Sequence, residues 1–160
     1  MALLTGDEII EIAMHLEERG EAFYNAAAEK ATTAEIKTLF EELAIQEQYH
    51  RRAFQQMGRD VVQVTLSDEQ WDQFHAYTGA LLDQHLFDRP EGALGKAAGV
   101  QDEREALQAA VGFEKETLQF FRELRGVVKG ADQQTVDRII GEEEHHVKRL
   151  SGLLSARQDP

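Results

Sequence analysis

The chain contains no cysteine. That excludes disulfides, thiol catalysis and cysteine-ligated iron or zinc within it. Only two prolines occur among its 160 residues, so long uninterrupted helices are open to it. No apolar run is long enough to span a bilayer, and the first residues lack the basic and apolar regions of a signal peptide. No stripe of Lys and Arg is present, and the formal net charge is −13. Binding to a phosphate backbone needs clustered cations, so nucleic acid is not an expected partner and neither is a membrane. These absences describe a cytoplasmic protein. Its length and its 42% of hydrophobic residues suit one domain with a sizeable core.

What is present is helical periodicity. Thr5-x-x-Glu8 reads as a capping box, and Ile10, Ala13, Glu17, Gly20, Tyr24 and Ala27 follow one helical face. Thr32-x-x-Glu35 reads as a second capping box, and Phe40, Leu43, Glu47, His50, Phe54 and Met57 share a second face. Helices are expected over about 6–31, 33–57, 68–87, 102–124 and 131–156. Gly58 ends the second segment, Gly126 and Gly130 punctuate the turn before the last, and Asp132 is its expected cap. Residues 58–101 form a long connection whose helix carries Trp71, Phe74, Leu81 and Leu86. Two short links and one long crossover describe an all-α, ferritin-like four-helix bundle with an extra helix in the crossover. That helix can pack on its own bundle or on a second copy in a homodimer.

The two halves of the chain repeat. Ala13, Leu16, Glu17, Phe23 and Tyr24 recur as Ala110, Phe113, Glu114, Phe120 and Phe121. Leu43, Glu47, His50 and Phe54 recur as Ile139, Glu143, His146 and Leu150. A single Glu-x-x-His match is weak, because this composition supplies roughly one by chance. The phase is more specific. Glu47 and His50 lie between Leu43 and Phe54 on an apolar stripe, and Glu143 and His146 lie between Ile139 and Leu150. Residues three apart share a helix face, so each pair points inward. An unpaired buried carboxylate costs several kcal/mol or takes up a proton. Two divalent cations neutralise four of them, and neutral imidazoles complete the shell. The expected metal ligands are therefore Glu17, Glu47, His50, Glu114, Glu143 and His146, an arrangement known for di-iron and di-manganese carboxylate bundles.

Glu142-x-x-His145 also matches the spacing, but its helical neighbours are Arg138, Lys148 and Arg149. Glu142 and His145 are expected on the solvated face, as are Glu18, Glu116 and His15. His75 and His85 are expected to pack at the core edge. Gly20 and Thr117, each three residues past a predicted ligand, either leave room for a small exogenous ligand or permit close helix packing. Tyr24 is either ordinary core or a hydroxyl that bonds a ligand carboxylate.

At these residues the chain resembles the rubrerythrin-like branch of the ferritin-like superfamily. The resemblance rests on Ala13-x-x-Leu16-Glu17 with Phe23-Tyr24 and on the Glu-x-x-His segments at 47–50 and 143–146. It implies two iron ions, with manganese as the alternative, and an oxidoreductase acting on peroxide or dioxygen or oxidising Fe²⁺. The chain departs from rubrerythrins proper in having no cysteine-ligated rubredoxin domain, so electrons are expected from a separate donor. It also carries Thr117 where they add a carboxylate. Two other readings use the same residues differently: an iron-handling protein with little turnover, and a metal-free helical interaction module whose acids face solvent.

Overall fold

The computed structural model describes residues 6–57 and 102–157, together with 67–69, 72, 73 and 76. Four long helices make up the two main stretches: α1 (Gly6–Lys30), α2 (Ala34–Gln56), α3 (Glu103–Val127) and α4 (Ala131–Ala156). There is no strand among the described residues. α1 packs chiefly along α2 and α3 along α4, and smaller α1–α3 and α2–α4 contacts join the two hairpins. The result is an all-α four-helix bundle. Of the helix expected over 68–87, residues 68, 69, 72, 73 and 76 are helical and exposed. Trp71, Phe74, His75, Leu81, His85 and Leu86 lie outside the described residues, as do Thr5 and Gly58.

The helix ends correct several local expectations. α2 is capped by Thr33, which makes no cap bond of its own, so the Thr32-x-x-Glu35 box does not form. Instead Glu103, the first residue of α3, accepts hydrogen bonds from the backbone N–H groups of Thr32 and Thr33 at 2.7 and 2.6 Å and from the Thr33 hydroxyl at 2.6 Å. A carboxylate from the other half of the chain thus satisfies two backbone donors just ahead of this helix. Burial pushes the Glu103 carboxyl up, but these bonds outweigh it and hold it below its ordinary value. α3 continues through Gly126, because a glycine inside a packed helix costs only about 1 kcal/mol relative to alanine. The N-cap of α4 is Gly130, whose positive φ of 62° suits glycine, and Asp132 sits inside the first turn.

The apolar core falls into two clusters. One gathers Ile9, Leu16, Phe54, Phe121, Leu124 and Ile139, and the other Phe23, Tyr24, Phe40, Leu43, Leu107 and Leu150. The 3.6-residue period builds both, since each helix turns its apolar stripe inward along its whole length. On the same inward stripes, flanked by residues of these clusters, stand the glutamates and histidines.

Candidate metal centre

Glu17, Glu47, His50, Glu114, Glu143 and His146 are all buried, none more than 2% exposed. The structure brings all six together. One group comprises Glu17, Glu47, His50 and Glu143, and another comprises Glu47, Glu114, Glu143 and His146. Within each group one donor atom per residue lies within 4.8 Å of the others. Glu47 and Glu143 belong to both. α1 and α3 supply one glutamate each, and α2 and α4 supply a glutamate and a histidine each.

The imidazoles face the centre through Nδ1. His50 Nδ1 lies 2.8 Å from Glu143 Oε1 and 3.6 Å from Glu17 Oε2. His146 Nδ1 lies 3.0 Å from Glu143 Oε2, 3.5 Å from Glu114 Oε1 and 3.8 Å from Glu47 Oε1. The two rings stack loosely, with centroids 5.8 Å apart. Each Nε2 points outward to a partner on the opposite hairpin. His50 Nε2 pairs with Glu142 Oε2 at 2.6 Å, and His146 Nε2 bonds Gln46 Oε1. The Tyr24 hydroxyl donates to Glu114 Oε1 across the bundle.

Glu142 is the correction. Its side chain is 43% exposed, yet its carboxylate reaches around the helix to His50. The basic residues at helical spacing mark the exposure of its backbone position and not the reach of its side chain. Gln46 is likewise a residue that pattern reading passed over. One signal existed for both: the offset of 96 that relates Glu47 to Glu143 also relates Gln46 to Glu142. His15, Glu18, Glu116 and His145 are exposed.

The electrostatics are those of too many acids in one dry place. Burial, followed in each case by neighbouring glutamates, pushes Glu47 well above the ordinary carboxylate range. Burial likewise pushes Glu17 well up, against the pull of the neighbouring Glu47 carboxyl. Burial and the charge of Glu143 carry Glu114 to about 8. For the histidines burial acts downward, but the contacts with Glu143 and the surrounding charges outweigh it and carry His50 to about 9. Glu114 and Glu143 do the same for His146, to about 10. Glu143 takes the opposite course: burial would raise it, and its contacts with Glu114, His146 and His50 hold it below the ordinary range. Burial and then the charge of Glu114 keep the Tyr24 phenol protonated.

Hydrogen bonding inside the protein does not satisfy this cluster. Both oxygens of Glu17 and of Glu47, one oxygen each of Glu114 and Glu143, and His50 Nδ1 are buried without a hydrogen-bond partner, the 2.8 Å approach of His50 Nδ1 to Glu143 Oε1 being an ion-pair contact without hydrogen-bond alignment. Buried polar atoms are rarely left so. Oxygen and imidazole donors converging at these distances, with four formal negative charges, fit a pair of divalent ions. The Thr117 hydroxyl, one turn after Glu114, is also buried and unbonded.

Gly20 is tied to this geometry. A Cβ there would meet Glu47 Oε2 and the Phe113 ring edge, each at 3.0 Å. The clearance serves the placement of the Glu47 carboxylate. Gly20→Ala is expected to keep full helicity, since alanine is the better helix former, while weakening metal binding about tenfold through the displaced carboxylate. Circular dichroism beside a metal titration checks both halves of that expectation. Unchanged affinity would mean that Phe113 alone yields.

Comparison with known proteins gives the same class. The rubrerythrin family model matches residues 8–82, which include most of α1 and the whole of α2. A solved structure from Thermotoga maritima, described as a ferritin-like diiron-carboxylate protein, matches with a TM-score of 0.74 and 27% identity, over 97% of each chain. No curated protein matches. The chain is thus similar to the rubrerythrin family over its first two helices and to a ferritin-like diiron-carboxylate protein over nearly its whole length. The buried carboxylate–imidazole cluster fits metal binding. No helix among the described residues is long and apolar enough to cross a membrane.

Proposed function

We propose that the cluster holds two iron ions and that the protein is an oxidoreductase acting on peroxide or dioxygen, or oxidising Fe²⁺. The observation that carries this reading is the set of buried, unbonded carboxylate oxygens on Glu17, Glu47, Glu114 and Glu143. Solvent-facing acids of an interaction module would show none of this. Glu17 and His50 would hold one ion, Glu114 and His146 the other, and Glu47 and Glu143 would be shared, as the two overlapping groups suggest. Manganese suits the same donors. Bound iron supplies one-electron redox chemistry toward a small oxidant.

The chain's own residues prepare the place for that chemistry. Tyr24 fixes the orientation of Glu114 through its hydroxyl. The two apolar clusters restrict water at either end. The Thr117 hydroxyl, otherwise unbonded, can donate to a small oxidant beside Glu114. With no cysteine in the chain, electrons come from a separate donor.

The test is stopped-flow absorbance of the anaerobic Fe²⁺-loaded protein mixed with hydrogen peroxide or with dioxygen. The near-ultraviolet absorbance of ferric product should rise faster than for free Fe²⁺, and Glu114→Ala should lose that advantage. Repeated turnover should require an added reductant. If neither oxidant reacts faster than with free Fe²⁺, the oxidoreductase reading fails and iron handling without turnover is the better account.

A further inference from the structure

The repeat makes the two halves of the site nearly interchangeable, so its departures stand out. Two of them bear on charge. Behind His50 stands the carboxylate of Glu142, 2.6 Å from Nε2, while behind His146 stands the amide of Gln46. A carboxylate accepting the outer N–H of a metal-ligating imidazole raises the basicity of the inner nitrogen, and a neutral amide does so less. The second departure concerns the terminal glutamates. Glu114 receives the hydroxyl of Tyr24, and its counterpart Glu17 faces no such donor, because the repeat replaces Tyr24 with Phe121. Phe121 packs instead on Phe54, with ring centroids 5.0 Å apart. Both oxygens of Glu17 are free of hydrogen bonds, whereas one oxygen of Glu114 is engaged. A donated hydrogen bond draws electron density from a carboxylate and weakens it as a ligand.

These two differences act in the same direction. We infer that the two metal positions are unequal, and that the position formed by Glu17 and His50 takes a divalent ion first and holds it more tightly than the position formed by Glu114 and His146. Glu142 is then a positioning residue for His50, acting through the imidazole. The inference rests on the two-ion reading proposed above. It differs from the symmetric filling that six like ligands in a repeat would suggest.

Co²⁺ is a suitable probe, because its visible absorption reports coordination and it does not enter the oxidative chemistry. Apoprotein titrated with Co²⁺, by absorbance and by calorimetry, should show two binding steps separated by about tenfold or more. His50→Ala should remove the tighter step and His146→Ala the looser one. Glu142→Gln should weaken the tighter step by about tenfold and leave the looser one in place. Glu144→Gln removes an equal charge two residues away, from a side chain paired with Arg122 at the surface, and should leave both steps unchanged. In the double variant Glu142→Gln/Tyr24→Phe the two steps should converge. Two equal steps in the parent protein would overturn the inference while keeping the two-ion reading. So would a tight step that survives His50→Ala, or an effect of Glu142→Gln no larger than that of Glu144→Gln. Absence of any Co²⁺ binding by folded apoprotein would overturn both.

Discussion

At pH 8 the protein loaded with divalent metal is expected to melt roughly 15 °C or more above its metal-free form. Each ion bound only by the native state, at a free concentration about a thousand times its Kd, adds about 4 kcal/mol. For a chain of this length, 1 kcal/mol moves the Tm by about 2–4 °C. The difference should widen as pH rises, and the sign follows from the proton affinities. Glu17, Glu47 and Glu114 hold protons more tightly in the folded apoprotein than in the unfolded chain, as do His50 and His146. Their contribution to apoprotein stability is complete at low pH and is lost as pH climbs through about 8 for Glu114, 9 for His50 and 10 for His146. Glu143 runs the other way, and its contribution is lost as pH falls below the ordinary carboxylate range. Metal binding must displace the protons on Glu17, Glu47, Glu114 and the two Nδ1 atoms, so affinity rises with pH. Thermal melts of chelator-treated and reconstituted protein at pH 6, 7 and 8 check both trends. Coincident melts, with metal removal verified, would mean that the glutamates do not bind metal.

Loss of Glu143 is expected to be the most damaging single change at the centre. Its Oε1 faces His50 and its Oε2 faces His146, and it belongs to both four-residue groups. Glu143→Ala should therefore drop metal content from about two ions per chain to near none, whereas Glu17→Ala should retain about one. The same change should destabilise the apoprotein by about 3–5 kcal/mol, because the two buried imidazoles lose the anion they share. Elemental analysis after reconstitution reads the first effect, and urea unfolding of the metal-free proteins reads the second. Equal metal contents in the two variants would show that Glu143 is not shared.

How much of this the sequence carries depends on the range of the interaction. The inward stripes of α1 to α4 are legible because burial repeats every three to four residues, and Ile139, Glu143, His146 and Leu150 keep that phase without interruption. The six converging side chains follow from it together with the repeat. The helix ends are harder to read. The Thr32-x-x-Glu35 pattern obeys a local rule, but the donors at Thr32 and Thr33 are taken by Glu103, 71 and 70 residues away. Glu142 escapes a face-by-face reading for a similar reason. A glutamate side chain long enough to bend around its helix finds its partner on α2, and nothing within α4 announces it. The Tyr24–Glu114 bond is half legible: periodicity turns both residues inward, but only the bundle's cross-section sets which carboxylate the hydroxyl meets.

The two-part core has a consequence for how the molecule comes apart. The hydrophobic residues form two clusters that touch where Phe23 stacks on Phe113, and the acids and imidazoles are the other element that the helices share between them. With metal in that layer, the two masses are joined by a set of bonds that reaches all four helices, so opening at one end strains the other. Without it the layer is a mesh of mutually repelling carboxylates, relieved by protons, and the Phe23–Phe113 stack is left to join the two clusters. On the two-ion reading, metal occupancy is therefore expected to sharpen the cooperativity of unfolding as well as to raise the stability of the bundle.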